Sequence, residues 1–294
     1  MRATIILLAT HNGERWLLDQ LESIRVQISV DVKLLASDDN SKDATLQILK
    51  DKNPSCNFLP SIKIGSAVQN FFRLLRDVDL TSIRYAALSD QDDLWDSDKL
   101  SSAISMIEKL KVDAYSSNVT AFWANGKTKL INKAQNQCQF DYMFESAGPG
   151  CTFVLTQKLA LHLQQFLIQN QQACTDVALH DWFIYAFART NGYKWVIDKQ
   201  PHMQYRQHEN NVMGANAGWQ AKLTRWKKLR AGWLQTQAIL LADIIGYSDS
   251  WVIKRLKRNN LIDKLILIIN ISKFRRKFID RLALALSFLV GIKK

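Results

Sequence analysis

Three short strand-like runs, Ala3–Ala9, Val32–Ala36 and Arg84–Leu88, alternate with segments of helical period. This alternation constrains the fold more than any other feature. Ala3–Ala9 is continuously apolar and β-branched at Ile5 and Ile6, as expected of a strand buried on both faces. Glu14–Val26 places Trp16, Leu17, Leu21 and Ile24 on one helical face. Ser41 reads as a helix start with Asp43 in its first turn, and Ser66–Val78 as a further helix. The βαβαβ order predicts an α/β fold with a mostly parallel central sheet flanked by helices.

Downstream, Leu94–Lys111 reads as mostly helical. Tyr115–Ala124 and Lys127–Ile131 form a hairpin across Asn125-Gly126. Gly148-Pro149-Gly150 is a tight turn into a short strand. Helices are expected over Lys158–Asn170 and Asp181–Arg189, with a strand at Tyr193–Ile197. Beyond Gly218 the chain turns basic and helical.

The net charge of +12 belongs to that last quarter. Residues 1–219 carry 22 Lys/Arg against 23 Asp/Glu, whereas residues 220–294 carry 17 against 4. Such asymmetry points to a polyanion, either nucleic acid or an anionic membrane surface. The four cysteines, Cys56, Cys138, Cys151 and Cys174, form no C-x-x-C pair, so a reduced cytosolic setting is the default. The N-terminus lacks a signal-peptide pattern, and no apolar run approaches the roughly 18 residues of a spanning helix.

Two strand ends carry the chemistry. Val32–Ala36 runs into Ser37-Asp38-Asp39-Asn40-Ser41, and Arg84–Leu88 into Ser89-Asp90-Gln91-Asp92-Asp93. In an open parallel sheet, ligands bind beyond the carboxyl ends of the strands, so both clusters face one crevice, as does Thr10-His11-Asn12. Carboxylates this close repel one another unless a cation neutralises them. Mg²⁺ or Mn²⁺ does so while sharing carboxylates with substrate phosphates. No G-x-x-x-x-G-K-[ST] or G-x-G-x-x-G phosphate loop is present, which leaves phosphate binding through metal.

Taken in order, these motifs resemble glycosyltransferase family 2, inverting enzymes with a GT-A nucleotide-sugar-binding fold, and within it the bacterial rhamnosyltransferase-like branch. The matching stretches are Ala9-Thr10-His11-Asn12-Gly13-Glu14, where the family usually has Tyr for His11, then Ser37 to Asp43 and Asn70-Phe71-Phe72. Ser89 through Leu100 matches best, followed by Gly150-Cys151-Thr152, His180-Asp181-Trp182 and Tyr205 to Asn211. The resemblance covers residues 3–215. It implies a catalytic body over residues 1–218 and leaves a basic, amphipathic helical extension over 219–294.

The resemblance also implies roles. Thr10, His11, Glu14 and Asp38 would contact the nucleoside, with Asp39 supporting that turn. Asp90 and Asp92 would form the Asp-x-Asp pair that, with His208, holds Mg²⁺ or Mn²⁺. Arg206 would close over the diphosphate, and Asp181 would be the catalytic base. The expected reaction moves a sugar from a nucleotide sugar, dTDP-rhamnose or a UDP-hexose, to a hydroxyl of a polysaccharide or lipid-linked saccharide. Metal and Arg206 would stabilise the leaving charge, and Asp181 would deprotonate the acceptor, inverting the anomeric centre. His180, His162 and His202 read as packing or local hydrogen-bonding residues.

In the extension, Trp219, Trp226 and Trp233 recur every seven residues among lysines and arginines. Such a stripe either packs on the body or marks a membrane–water interface. Lys254–Arg258 and Lys273–Lys277 flank Leu261–Ile271, and a second apolar stretch, Ile279–Ile292, ends in Lys293-Lys294. Basic clusters beside apolar helices suit anionic headgroups, at about 1 kcal/mol per Lys/Arg near the surface. We therefore expect a peripheral protein on the cytoplasmic face of the cell membrane, with helix-mediated homo-oligomerisation as the rival. Two other functions stand as alternatives. A metal-dependent nucleotidyl or phosphoryl transferase should show a basic Gly-rich loop. A nucleic-acid-binding protein should interleave basic and aromatic residues along a groove, and here the apolar content is aliphatic.

Overall fold

The computed structural model describes residues 2–52, 56–208 and 232–290. Glu209-Asn210-Asn211, Trp219, Trp226 and Lys293-Lys294 lie outside the described residues. A seven-stranded sheet runs in the order β10-β6-β9-β4-β1-β2-β3. Its strands are β1 (Ala3–Thr10), β2 (Asp31–Asp38), β3 (Asn57–Phe58), β4 (Tyr85–Ser89), β6 (Ala114–Ser117), β9 (Val154–Thr156) and β10 (Trp195–Asp198). β1 pairs in parallel with β2 and β4, β2 with β3, and β6 with β10. The sheet is mixed because β9 lies antiparallel between β4 and β6.

Alternation along the central strands splits the core into two layers. Ile5, Leu7 and Ala9 of β1 face one apolar cluster, whereas Ile6 and Leu8 face the other. The first layer receives α3 (Ala67–Asp77), α5 (Gln157–Gln169) and α6 (His180–Thr190) through Phe71, Leu163 and Phe183. The second receives α1 (Leu17–Arg25), α2 (Thr45–Lys52) and α4 (Lys99–Leu110) through Leu21, Leu49 and Ile104.

Three elements depart from the sequence reading. Leu94-Trp95, expected to be helical, is strand β5, and α4 begins only at Lys99. The helix expected from Ser41 starts at Thr45, because Ser41 and Asp43 spend their side chains on neighbouring loops: Ser41 Oγ accepts from the Asn12 amide, and Asp43 from the Glu14 amide. The expected hairpin is divided at Asn118. β6 stays in the large sheet, while β7 (Val119–Trp123) and β8 (Thr128–Ile131) enter a second sheet of order β5-β11-β7-β8. Its strand β11 (Met203–Gln207) pairs antiparallel to β5 with Met203 opposite Trp95 and Gln204 opposite Leu94.

Among the described residues, four α-helices follow: α7 (Trp233–Ile244), α8 (Trp251–Arg258), α9 (Leu261–Ile269) and α10 (Phe278–Val290). Leu241, Val252, Leu267, Phe274 and Phe288 from this region belong to the same apolar cluster as Phe71 and Phe183. Among the described residues no helix is long and apolar enough to cross a membrane.

Candidate active site

The loops after β1 and β2 are built from small polar residues that bond to each other. Asn12 and Asn40 adopt positive φ (47° and 53°), a conformation Asn tolerates well, and each turns the chain out of its strand. Asn12 Oδ1 accepts from the Lys42 amide (2.8 Å), and the Gly13 amide donates to Thr45 Oγ1 (2.7 Å). Glu14 accepts from the Ala44 amide (2.8 Å). From α3, Asn70 donates to the carbonyls of Thr10 and Ser37, and Arg73 to Ser37 Oγ, so both strand ends are held from behind.

Asp38 is turned inward. Its carboxylate accepts from the hydroxyls of Thr10, Ser41 and Ser61 and from the Ser41 amide, which fills the roughly four lone-pair sites of a carboxylate. Asp39 accepts from the amides of Ile64 and Gly65, fixing the segment that leads into α3. His11 Nδ1 lies 2.6 Å from the Asp39 carbonyl. A carbonyl only accepts, so Nδ1 carries the proton and Nε2 accepts from the Asn12 amide nitrogen at 3.0 Å. The His11 backbone is clamped by Gln91, which accepts from its N–H (2.8 Å) and donates to its C=O (2.9 Å).

β5 and β11 carry the acidic loop and Arg206 to the same place. Asp92 Oδ2 accepts from His208 Nε2 at 2.6 Å, and His208 stacks on Trp16 with ring centroids 4.1 Å apart. Arg206 Nε donates to the Asp92 carbonyl (2.8 Å), and Nη2 pairs with Asp19 at 3.1 Å. Its guanidinium lies over the Phe122 ring (4.8 Å), and its backbone N–H donates to Asp93 Oδ1 (3.2 Å).

Beneath these residues lies a buried charge cluster. Asp90, Asp93 and Cys151 each offer a ligand atom within 4.8 Å of the others. Burial, then the charge of Asp92, pushes Asp90 up to about 7 and Asp93 well above the usual carboxylate range. Burial and the same carboxylates push the Cys151 thiol up, so it stays protonated. Lys99 lies below, its Nζ 3.4 Å from the Trp95 ring centroid and without a hydrogen-bond partner. Burial brings Lys99 down to about 7, against the opposing pull of Cys151 and Asp93.

This cluster fits a divalent cation. Asp93 Oδ2 is buried with no hydrogen-bond partner, and the neighbouring carboxylates raise the cost of ionising Asp90 and Asp93. Hard carboxylate oxygens with one imidazole nearby suit Mg²⁺ or Mn²⁺, and a protonated thiol adds no competing soft ligand. Asp92 and His208, expected together, are in direct contact. Asp93, expected only to sit beside them, is fully buried within the cluster.

Asp181 stands in the first turn of α6, close enough that its charge also raises Asp90. Burial lifts Asp181 to about 6, against the opposing pull of the Trp182 amide (2.7 Å), Lys133 and Ser146. His180 stacks on Phe71 (4.1 Å), and its Nε2 is buried without a partner, so it packs and does not orient Asp181. His162 bonds Tyr193, and His202 lies against Asp98 and Asp198. Trp16, Asp19, Gln91, Lys133 and Ser146 escaped sequence reasoning. Only Gln91 sits inside a motif, and the others reach the site from elements whose approach no local pattern encodes.

Comparison with known proteins follows this geometry. Residues 5–163 match the model of Glycosyl transferase family 2. A Shigella flexneri protein described as dTDP-rhamnosyl transferase RfbG is 43% identical over 290 residues, spanning 97% of this chain and 100% of that protein. Two solved structures share the fold at low identity. Staphylococcus aureus TarS 1–349 in complex with UDP-GlcNAc has a TM-score of 0.53 at 14% identity, over 92% of this chain and 80% of that one. The mannosyltransferase PcManGT from Pyrobaculum calidifontis, with GDP-Man and Mn²⁺, has a TM-score of 0.51 at 13% identity, over 98% and 84%. The acidic strand ends, the α/β frame around them and these matches agree: the chain belongs to glycosyltransferase family 2.

Proposed function

We propose that the chain transfers rhamnose from dTDP-rhamnose, with inversion, to a hydroxyl of a saccharide acceptor. One observation carries the reading: the clustered carboxylates Asp90 and Asp93 lie close enough to a separate carboxyl, Asp181, for its charge to act on Asp90, and burial raises the affinity of Asp181 for protons. The relative of 43% identity supports rhamnose as the sugar and dTDP as its carrier.

Thr10, His11, Glu14 and Asp38 receive the nucleoside, and Asp39 holds their turn. A base N–H reaches Asp38 when the Ser41 or Ser61 hydroxyl rotates away. Asp90, Asp92 and His208, with Asp93 behind them, would hold the metal. Bound there, a divalent cation would supply positive charge that offsets the charge leaving with the diphosphate. Arg206, held by Asp19 and the Asp92 carbonyl, faces that leaving charge. Asp181 takes the proton of the acceptor hydroxyl as its oxygen bonds to the anomeric carbon. The bond from that carbon to the diphosphate oxygen breaks on the opposite face, and dTDP departs.

A donor panel of dTDP-rhamnose, UDP-glucose, UDP-N-acetylglucosamine and GDP-mannose tests this, with Mn²⁺ or Mg²⁺ and with chelator. Release of dTDP alone, lost with chelator, is expected. Preferential consumption of a UDP- or GDP-sugar would refute the donor, and full activity in chelator would refute the metal.

The outward faces of α9 and α10 support membrane attachment through residues 219–294. They are apolar on both faces: Leu267, Leu284 and Phe288 are buried in the core beside Asp263 and Ser287, while Leu261, Ile262, Ile269, Phe278 and Ile279 are 67–80% exposed. Exposed Lys254, Arg258 and Lys273 lie close by in sequence, as anionic headgroups require. Co-sedimentation with phosphatidylglycerol vesicles, but not with phosphatidylcholine vesicles, is expected. Its absence together with a concentration-dependent dimer would assign the face to self-association.

A further inference from the structure

Arg276 comes from the basic extension and lies in no motif, yet its guanidinium is among the most deeply buried charges in the molecule. Nη1 pairs with Asp141 Oδ2 at 3.0 Å, and Nη2 with Glu145 Oε2 at 3.3 Å. Nη2 also donates to the Ser146 carbonyl (2.5 Å), and the Arg276 backbone N–H to Glu145 Oε1 (2.7 Å). Asp141 is further tied by the Tyr185 hydroxyl and by Arg189 at 3.4 Å. One side chain from the end of the chain thus fastens residues 141–146 at both ends.

That segment supports the start of α6. The Tyr142 carbonyl accepts from Trp182 Nε1 at 2.8 Å, and Trp182 follows Asp181 directly. The Ser146 hydroxyl donates to the Gly148 carbonyl (2.8 Å) and lies near enough to Asp181 to favour its ionised form. It has one proton, and an ionised Asp181 is the stronger acceptor. The charged groups around Asp181 are Lys133 from the segment after β8, Asp90 from the loop after β4, and, through Ser146, the Arg276–Glu145 pair. His180 is neutral, its affinity for a proton pushed down to about 3 by burial.

We infer that Arg276 is a positioning residue for sugar transfer: it fixes Asp141–Ser146 and, through Ser146 and Tyr142, the aim of the Asp181 carboxylate. The inference rests on the reading of Asp181 as the base. It makes the basic extension part of the catalytic apparatus as well as a candidate attachment element.

The test uses the full chain and the nucleotide sugar it consumes, dTDP-rhamnose on the reading above, with water as acceptor. Arg276→Met, Arg276→Lys and Ser146→Ala are compared for kcat, for its pH profile and for dTDP affinity by calorimetry. Arg276→Met and Ser146→Ala should lower kcat, by about 10²-fold for a displacement on the order of 1 Å. They should move the acid limb of the profile to higher pH and leave dTDP affinity unchanged. Arg276→Lys keeps the charge without the fork and should recover part of the rate. Arg276→Met should slow an Asp181→Asn enzyme no further. Should Arg276→Met fail to fold, Ser146→Ala decides. An unchanged kcat and acid limb in Ser146→Ala, or an undiminished effect of Arg276→Met in the Asp181→Asn background, overturns the inference. Full turnover by Asp181→Asn alone overturns the base reading beneath it.

Discussion

Replacing Gly150 by alanine tests the tightest contact behind the candidate base. Gly150 ends the Gly148-Pro149-Gly150 turn and lies against the His180 ring. A Cβ there would sit 3.1 and 3.2 Å from His180 Cδ2 and Cε1, and nearer still to Nε2, where ordinary contact begins at 3.4 Å. The ring cannot swing aside cheaply, because its other face stacks on Phe71, which is fully buried between α3 and the sheet. A displacement on the order of 1 Å must therefore be taken up by His180, the first residue of α6, and Asp181 moves with it. Overpacking of this kind costs about 1–3 kcal/mol. In domains of 150–250 residues each kcal/mol lowers Tm by about 2–4 °C. A shift of that size at the base lowers kcat by about 10²-fold.

Thermal denaturation, kcat for dTDP release and dTDP affinity would be measured side by side. Lower Tm and kcat are expected with nucleotide affinity intact. Removing the ring should relieve the clash, so Gly150→Ala combined with His180→Ala should be more stable than the sum of the two single losses. If Gly150→Ala keeps both the Tm and the kcat of the natural chain, the steric reasoning is wrong. If only Tm falls, His180 does not transmit the shift to Asp181.

Four further outcomes follow from the geometry. Asp181 must be ionised to act as base and holds its proton to about pH 6, so kcat should fall about tenfold per unit below that pH. The same shift makes the folded state the tighter proton binder, so this group's contribution to stability should decline from pH 3.8 to about 6 and level off above, as Tm against pH in Asp181→Asn and the natural chain would reveal. Arg206→Met should reduce kcat by about 10²–10³-fold, the scale of a lost charge-stabilising donor, with little change in Tm; a change confined to KM would remove Arg206 from the leaving-group side. Asn118→Ala should cost about 2–4 kcal/mol in denaturant unfolding, because it strips partners from the Lys133 and Ala134 amides and the Lys199 carbonyl where the two sheets diverge.

The local signals that proved legible are those set by short-range chemistry. An apolar run of eight residues or fewer followed by clustered aspartates specifies a strand that ends in a ligand-facing loop, whatever surrounds it. β2 and β4 obey that rule. The pairing of Asp92 with His208 could be anticipated only through the family's motif order. Leu94-Trp95 was misread because two residues carry no period, and their extended form is imposed by pairing with β11. Glu14 and Asp38 were expected to contact the nucleoside, but not to be carboxylates already engaged by the protein's own amides and hydroxyls.

The sequence by itself determined which residue types stand at the strand ends, and so the acidic chemistry of the site and its family. It also determined that the positive charge belongs to the last quarter of the chain. Only the tertiary structure decided which carboxylates are buried together, because desolvation and mutual repulsion depend on distances that spacing does not encode. It alone decided which apolar residues of α9 and α10 enter the core (Leu267, Leu284 and Phe288) and which, such as Leu261, Ile262 and Ile279, are left exposed. It also carried Arg276, more than 120 residues away in sequence, into contact with Asp141 and Glu145 beside the candidate base. A buried cation must find its counter-charges wherever folding brings them, and no local pattern could have named them.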